Sequence, residues 1–316
     1  MQFFADQTDA VVRGTLARIP AACGRRGRGW CAAAASILEA SAPKAGNVHP
    51  WASFADLRHE DFVAAGLAIA PLFETAAAAP VGGTVLAAVT ASAAVTRSNA
   101  NLGIVLALAP LGALPLDAGN AARAIENGAV DRVLAAVTAA DAAAVWQAIA
   151  IARPGGLGTS ERFDLAGPPP ADLRAAMAHA ADRDQIAALW ARGYAGLLTG
   201  PVADLAREFD AGAGLADGIV RAHVAQLARQ PDSLIARRHG TARAAEVCRR
   251  AAAIPLADAA WRPAVADFDR LLRSAGVNPG TTADLIAAAL YILLDDVALC
   301  DACGLTRLLD RVLDEP

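Results

Sequence analysis

The chain has 316 residues, of which 55% are hydrophobic and 19% are charged, and its formal net charge is −4. This is ample apolar sequence for a large core, in one domain or in two closely packed ones. The weak negative charge argues against nucleic acid as a partner, because nucleic-acid binding usually requires a basic surface. Ala dominates and aromatic residues make up only 5%. This favours an all-α fold, since Ala has the highest helix propensity.

Three features predict a cytoplasmic protein without a membrane partner. The five cysteines are an odd, scattered set, which indicates a reducing compartment rather than a disulfide framework. The first residues carry acids and lack the basic and long apolar regions of a signal peptide. The longest apolar stretch, 102–116, is shorter than a membrane span and contains two prolines. Cys300 and Cys303 have C-x-x-C spacing, but zinc is not expected without a second ligand pair.

Helical periodicity recurs along the chain, and no strand-like alternation interrupts it. Helices are first predicted over 30–40, 59–79, 83–95, 101–111 and 141–152, the last with Asp141 as its N-cap. A stretch rich in Gly and Pro, 153–170, then predicts a long surface or active-site loop. Further helices are predicted over 171–198, 215–230, 241–253 and 264–276, and one more follows the motif at 278–285.

These elements predict a single large multi-helix domain, bundle-like, with an apolar, Ala-rich helical core over residues 29–316. The segments 83–95 and 101–111 are apolar all round, so we expect them at the centre. Residues 1–28 are expected to be a flexible lead-in, because the Gly and Arg of 23–29 offer little to bury.

Lys44 is the one lysine among 28 basic residues. A GC-rich genome that replaces Lys by Arg wherever the chemistry permits would explain this without any special role. The alternative is that position 44 requires a compact ammonium group, for which a planar guanidinium is no substitute. The sequence leaves both explanations open.

Polar residues interrupt the apolar pattern mainly at predicted helix ends. Each such island has an ordinary explanation as a solvated turn or a helix cap, and a functional one as part of a ligand site. Asp182 and Asp184 are two residues apart, so on a helix they would point about 200° from each other and only one would face a common site. Asp232 or Ser233 is a natural N-cap. The islands are 42–50, 58–62, 96–101, 180–187 and 231–240.

The stretch "NPGTTADL", 278–285, precedes another apolar helix. Pro279 and Gly280 predict a turn, and Thr281 or Thr282 is the expected helix cap. The free N–H groups of a helix start, together with its dipole, form a natural site for an anion.

Taken together, these stretches resemble the triphosphoribosyl-dephospho-CoA synthase family over about residues 30–295. The matching motifs occur in the family order, and each is weak alone. They are "PKAGNVH", "HEDF", "TRSNANLG", "ARPGGLG", "AADRDQIA", "DSLIARRHG" and "NPGTTADL".

The resemblance implies an all-α enzyme that uses ATP, with Mg²⁺, and 3′-dephospho-CoA. Such an enzyme transfers the 5-triphosphoribosyl group of ATP to a hydroxyl of the acceptor and releases adenine. The product is the precursor of the prosthetic group on the acyl carrier proteins of citrate lyase or malonate decarboxylase. No nucleic acid or membrane is involved, and the resemblance assigns no oligomeric state to this chain.

Two departures suggest a divergent branch. "NANLG" (99–103) stands where the well-studied branch has N-T-H-K-G, so Asn101 and Leu102 replace a His and a Lys. Ala45 replaces the loop proline. The same chemistry on another acceptor, for instance a methanopterin-type one-carbon carrier, is therefore an alternative. A second alternative is a non-catalytic helical module that binds a nucleotide or a carrier protein.

The chemistry assigns expected roles to the matching residues. Displacing adenine passes through an oxocarbenium-like state, which calls for phosphate contacts, carboxylates and a proton donor. The carboxylates Asp61, Asp182 and Asp284 are expected to hold Mg²⁺ and to supply the base, and His59 is the candidate proton donor. The expected phosphate contacts are Lys44, Arg58 and Arg237 or Arg238, and Asn99 and Asn101 would orient ribose or phosphate. The remaining expected binding residues are Asn47, Arg183, Asp232, Asn278, Gly280, Thr281 and Thr282.

Overall fold

The computed structural model describes residues 2–156 and 162–314. Over these residues the regular structure is helical, with two isolated β-bridges near residue 50 and no strand, which confirms the predicted fold class. The first helices are α1 Gln2–Leu16, α2 Arg28–Ser41, α3 His59–Glu74, α4 Val81–Val95, α5 Leu102–Gly112, α6 Ala121–Glu126, α7 Ala129–Ala135 and α8 Ala139–Ala152. The remaining α-helices are α9 Leu173–Ala180, α10 Gln185–Arg192, α11 Ala195–Leu197, α12 Ala203–Asp210, α13 Leu215–Arg229, α14 Ser233–His239, α15 Thr241–Ala252, α16 Trp261–Ser274, α17 Gly280–Asp295, α18 Val297–Ala302 and α19 Leu305–Asp314. Short 3₁₀ turns lie at Ala76–Ala78 and Leu116–Ala118, and a π-helical turn at Leu198–Val202.

The core is built around α2, α5 and α17, which are buried along almost their whole length. α2 packs against α3 and α17, and α17 also packs against α5 and α13. The run Ala32–Ala35 in α2 is fully buried. Small side chains let neighbouring helices approach closely, so the Ala-rich composition supports close helix packing rather than a core of large aromatic residues.

The structure breaks the helix predicted over 171–198 into shorter pieces. The first piece, α9, ends at Ala180. Asp184 then starts α10, because its side chain accepts hydrogen bonds from the N–H groups of Ile186 and Ala187 and so caps that helix. Gly193, with φ of 87°, ends α10 in a conformation that favours glycine.

The N-cap of α8 differs from the prediction. Thr138 is the N-cap, and Asp141 lies three residues inside as the partner in a capping box.

The N-terminal segment differs from the flexible lead-in expected for residues 1–28. It contains α1, which packs against α2, α13 and α19. Val12, Leu16, Ile19 and Cys23 belong to the same buried cluster as the central helices. Val12 and Leu16 are four residues apart, a helical spacing that places both on the face turned towards the core.

Within the described residues no single helix is both long and apolar enough to cross a membrane. The consecutive helices α7 and α8 meet that composition and length only when joined, and they are bent by 90°. The five cysteines are free thiols.

Candidate active site

A cavity of about 840 Å³ opens where several helix ends meet. The N-terminal ends of α5, α10 and α17 face it, as do the C-terminal ends of α4, α8 and α14. Its volume lies near the upper end of the range for small-molecule sites, so it has room for a large ligand or for two. The loop that follows α8, predicted as a surface or active-site loop, also lines the cavity through Arg153–Gly155 and 163–165. Leu157 and Gly158 of the "ARPGGLG" motif lie outside the described residues.

Asp284, in the first turn of α17, is a central carboxyl of the cavity. It packs so closely on α5 that a Cβ added to Gly103 would lie 2.5 Å from Cγ of Asp284. Its carboxyl makes no hydrogen bond or ion pair within the described part of the chain. Burial raises the pKa of Asp284 well above its usual range, and the nearby carboxylates of Glu39 and Asp232 raise it further. Asp284 therefore holds a proton readily.

Glu39 and Lys44 form a buried ion pair at the edge of the cavity. Glu39 lines the cavity and is 2% exposed, and its Oε1 lies 2.8 Å from Nζ of Lys44. Lys44 is 0% exposed and also donates to the backbone carbonyls of Glu39 and Ala42. Burial raises the pKa of Glu39, whereas the charge of Lys44 opposes that shift. The ammonium predicted to contact phosphate is thus fully engaged by protein acceptors.

Five arginines line the cavity: Arg97, Arg153, Arg183, Arg237 and Arg238. Arg237 pairs with Asp184, and Arg183 donates to a backbone carbonyl, that of His179, at 3.4 Å. For Arg97, Arg153 and Arg238 no carboxylate partner occurs among residues 2–156 and 162–314. Arginines without protein counter-charges, gathered on one cavity, are typical of a site for a polyanion.

Buried amide groups and helix ends supply further contacts for an anion. Asn47 donates to Oδ1 of Asn278 at 2.7 Å, and both residues line the cavity. Among residues 2–156 and 162–314, Oδ1 of Asn47 and Nδ2 of Asn101 are buried without a hydrogen-bond partner. Buried polar atoms normally have partners, so unpaired ones at a cavity wall mark positions where a ligand can bind. The first turns of α5 and α17 also present N–H groups, at Gly103 and at Gly280 and Thr281.

Part of the cavity lining is apolar. It includes Trp146, Ile149 and Ile151 from α8, Met177 from α9 and Phe163 from the loop. The indole N–H of Trp146 is buried and has no hydrogen-bond partner in the part of the chain that the structure describes. Flat apolar walls with an occasional polar group suit a nucleobase or an alkyl arm, whereas the arginines suit phosphate.

The structure does not bring together the three carboxylates predicted to hold Mg²⁺. Asp61 accepts hydrogen bonds from the hydroxyl of Thr96 at 2.8 Å and from the N–H of Arg58 at 2.9 Å, and so stabilises the start of α3. Asp182 is exposed and pairs with Arg192, outside the cavity. Asp184, two residues later, is the one of the pair that faces inward. Within the described residues, no group of three or more His, Cys, Asp or Glu is arranged to hold a metal.

His59 and Arg58 also lie away from the cavity lining. His59 is 6% exposed, and its Nε2 lies 3.1 Å from the hydroxyl of Ser41. Burial lowers the pKa of His59 below its usual value, so the ring is neutral at pH 7 and is a poor acid. Arg58 is exposed and pairs with Glu60 at 3.5 Å.

Asp232 and Thr282 tie two helices together beneath the cavity wall. Asp232 is the N-cap of α14, as predicted, through a hydrogen bond from the N–H of Ile235 at 2.9 Å. Its other oxygen accepts from the N–H and the hydroxyl of Thr282, at 2.7 and 2.8 Å. The start of α17 is therefore capped by Asp232 from another helix, not by Thr281 or Thr282. Burial raises the pKa of Asp232.

The predicted site residues that do line the cavity come from five separate stretches of the chain. They are Asn47, Asn99, Asn101, Arg183, Arg237, Arg238, Asn278, Gly280, Thr281 and Asp284. Sequence reasoning did not select Glu39, Arg97, Arg153 or Asp184 as site residues. Glu39 could have been selected from the sequence, because it is an acid in an otherwise apolar helix and lies five residues before the chain's one lysine.

Comparison with known proteins agrees with this geometry. Residues 26–301 match the model of the CitG family, described as ATP:dephospho-CoA triphosphoribosyl transferase. The fold is similar to a crystal structure from Archaeoglobus fulgidus, of a protein provisionally assigned as a triphosphoribosyl-dephospho-CoA synthase, with a TM-score of 0.57 and 24% identity. The likeness covers 73% of this chain and 96% of that chain. None of the curated proteins matches. Because the family match extends over most of the sequence, the chain belongs to the family of ATP:dephospho-CoA triphosphoribosyl transferases, and it is an enzyme.

Proposed function

We propose that the cavity holds ATP and 3′-dephospho-CoA together. There the 5-triphosphoribosyl group of ATP is transferred to a hydroxyl of dephospho-CoA, and adenine is released. The observation that supports this assignment is the pairing of two features in one cavity. Arginines that have no carboxylate partner among the described residues suit the phosphates, and the carboxyls beside them suit chemistry at a sugar carbon.

The triphosphate of ATP is proposed to lie between the arginines and the first turns of α5 and α17. Arg97, Arg153 and Arg238 have no carboxylate partner in the described residues, so a polyphosphate would supply their counter-charge. The N–H groups of Gly103, Gly280 and Thr281 would add the contacts that helix starts offer to phosphate oxygens. Asn99 and Asn101 would orient ribose hydroxyls at the same helix start.

Asp284 is proposed to act at the leaving adenine. Burial and neighbouring carboxylates favour its protonated form, and a protonated carboxyl can donate a proton to a ring nitrogen as the glycosidic bond breaks. This role was expected of His59, which is buried and neutral against Ser41. The apolar part of the lining, which includes Trp146, would receive the flat adenine ring or the alkyl arm of the acceptor.

Mg²⁺ is proposed to enter with ATP and to be held by phosphate oxygens and water. Asp61, Asp182 and Asp284 do not fit a shared metal site, because only Asp284 lines the cavity. Mg²⁺ usually takes only one or two protein carboxylates beside substrate phosphates, so such binding needs no protein cage. When bound, the ion neutralises phosphate charge.

The alternatives from the sequence are not favoured. A non-catalytic module does not agree with membership of an enzyme family. The motif "NANLG" departs from the well-studied branch, yet Asn101 and Leu102 both line the cavity, and Leu102 also belongs to the buried core. The departure therefore leaves the cavity in place. We place the enzyme in the cytoplasm because a reducing compartment keeps its five cysteines as free thiols.

Adenine release tests this function. With ATP, Mg²⁺ and dephospho-CoA, the purified enzyme is expected to release adenine in equal amount to the ribosylated product. Arg238→Gln should raise the KM for ATP by about tenfold, the equivalent of roughly 1.4 kcal/mol. Arg192→Gln removes an arginine that pairs with Asp182 outside the cavity and should leave the KM unchanged. Release of adenine without any dependence on dephospho-CoA would reject the proposed acceptor.

A further inference from the structure

We propose that Glu39 is the general base that takes the proton of the acceptor hydroxyl, and that Lys44 is the positioning residue that holds its carboxylate at the cavity wall. The inference rests on the proposed function, since it names the group that activates the acceptor. It also gives a role to the one lysine of the chain, which the phosphate site does not use.

The contacts of Glu39 leave one oxygen available for a substrate. Oε1 is paired with Nζ of Lys44 at 2.8 Å, whereas Oε2 accepts no hydrogen bond within the described residues. The side chain lies at the end of α2 and lines the cavity although the residue is 2% exposed. A carboxylate that is buried, held on one side and open on the other is well placed to accept a proton in a defined direction.

Three other carboxyls at or beside the cavity make different contacts. Asp184 uses one oxygen to cap α10 and the other to bind Arg237. Asp232 uses both oxygens to connect α14 with α17. Asp284 forms no ion pair within the described residues. It lies near Glu39, Asp232 and Asp184, with Arg237 as the opposing charge. Among these carboxyls, Glu39 is the one that pairs with a buried cation, Lys44, through one oxygen and accepts no hydrogen bond from the described residues at the other.

Burial raises the pKa of Glu39, and Lys44, which pairs with it directly, opposes that rise and favours the ionised carboxylate. The pKa of Asp284 is raised by burial and in turn by the charge of Glu39, so Asp284 is the acid of the pair. Three histidines, His49, His59 and His223, lie near Lys44. Burial lowers the pKa of each, and the charge of Lys44 lowers it further. They are therefore neutral at pH 7 and leave Lys44 as the dominant cation beside Glu39.

The geometry around Nζ explains why this position is a lysine. An ammonium has three N–H donors, and Nζ of Lys44 meets three acceptors: a carboxylate oxygen and the carbonyls of Glu39 and Ala42. A guanidinium is wider, planar and carries five donors, so it would leave buried donors without partners in the same space. The need for three donors in a small buried space therefore explains why position 44 is a lysine although every other basic residue in the chain is an arginine.

The proton and electron changes balance over the transfer. The acceptor O–H bond breaks, its proton passes to Oε2 of Glu39, and the oxygen forms a bond to C1′ of the ribose. The bond from C1′ to the adenine nitrogen breaks, and its electron pair leaves with adenine, which takes the proton assigned to Asp284. After product release, water returns the proton from Glu39 and reprotonates Asp284.

Two variants test the base while controlling for folding. Glu39→Gln should lower kcat by at least about 100-fold, with little change in the KM for ATP, because a general base typically contributes that much. The double variant Glu39→Gln with Lys44→Met removes both buried charges, so it is expected to recover the melting temperature but not the activity. Asp182→Asn, which removes a carboxylate outside the cavity, is the matched control and should keep wild-type kinetics.

The pH profile separates positioning from a purely structural role. Without Lys44, Glu39 binds its proton more tightly, so in Lys44→Met the acidic limb of kcat/KM should move to higher pH. A structural role would lower activity equally at every pH. If the folded double variant kept activity within tenfold of wild type, Glu39 would not be the base. That result would leave the proposed function of the enzyme unaffected. A wild-type enzyme that releases no adenine would reject the proposed function and the base with it.

Discussion

At the scale of single residues, the close approach of Gly103 to Asp284 sets the position of the central carboxyl. Any side chain at 103 meets the carboxyl, since an added Cβ would lie 2.5 Å from Cγ of Asp284. Gly103→Ala should therefore displace Asp284 and lower kcat by about 100-fold, because a shift of about 1 Å in a catalytic group has that effect. Adenine release at saturating substrate is the measurement.

Gly83→Ala is the matched control, because it is also a glycine inside a helix. The nearest atoms to an added Cβ there lie 3.8 Å away. That variant should keep wild-type kcat and gain up to about 1 kcal/mol of stability from helix propensity. Equal kinetics for the two variants would show that Asp284 tolerates displacement.

At the scale of secondary structure elements, the cavity depends on short helices held by cross-helix caps. Asp232 joins α14 to α17 through three hydrogen bonds. Asp232→Ala should lower the free energy of unfolding by about 2–4 kcal/mol, because it removes a cap and leaves buried donors of Thr282 unpaired. Denaturant unfolding monitored by circular dichroism measures the loss.

Asp172→Ala is the control for the cap alone. Asp172 caps α9 through a hydrogen bond from Ala175 at 3.0 Å, and it is exposed. Its loss should cost about 1 kcal/mol, the ordinary value of an N-cap. If both variants lost the same amount, the link between α14 and α17 would not contribute to stability.

At the scale of the whole molecule, α1 belongs to the main core. Leu16 is 3% exposed within the cluster that contains the central helices, whereas Leu116 is 83% exposed. Leu16→Ala should therefore cost about 2–4 kcal/mol of unfolding free energy, as for other buried leucines. Leu116→Ala should cost almost nothing. A negligible loss for Leu16→Ala would support the flexible lead-in expected from the sequence.

The sequence placed some polar residues in the site correctly and others wrongly, and the reason is physical. Asn101, Arg237 and Asp284 stand out because polar groups at the ends of apolar helices are unusual in an Ala-rich chain, and all three line the cavity. Asp61 and Lys44 stand out for the same reason, yet their side chains bind Thr96 and Glu39. A polar residue near a helix end can serve the ligand or the fold, and its pattern in the sequence is the same in both cases.

By itself, the sequence determined the all-α class, the Ala-rich core, most helix positions and the family to which the chain belongs. These depend on composition, periodicity and motif order, which are local properties of the chain. Only the tertiary structure decided that Asp184 rather than Asp182 faces the cavity, that Lys44 binds Glu39, and that Asp232 caps α17 from another helix. Those contacts join residues whose side chains meet only after the helices have packed, because direction and distance between helices are not encoded in local spacing.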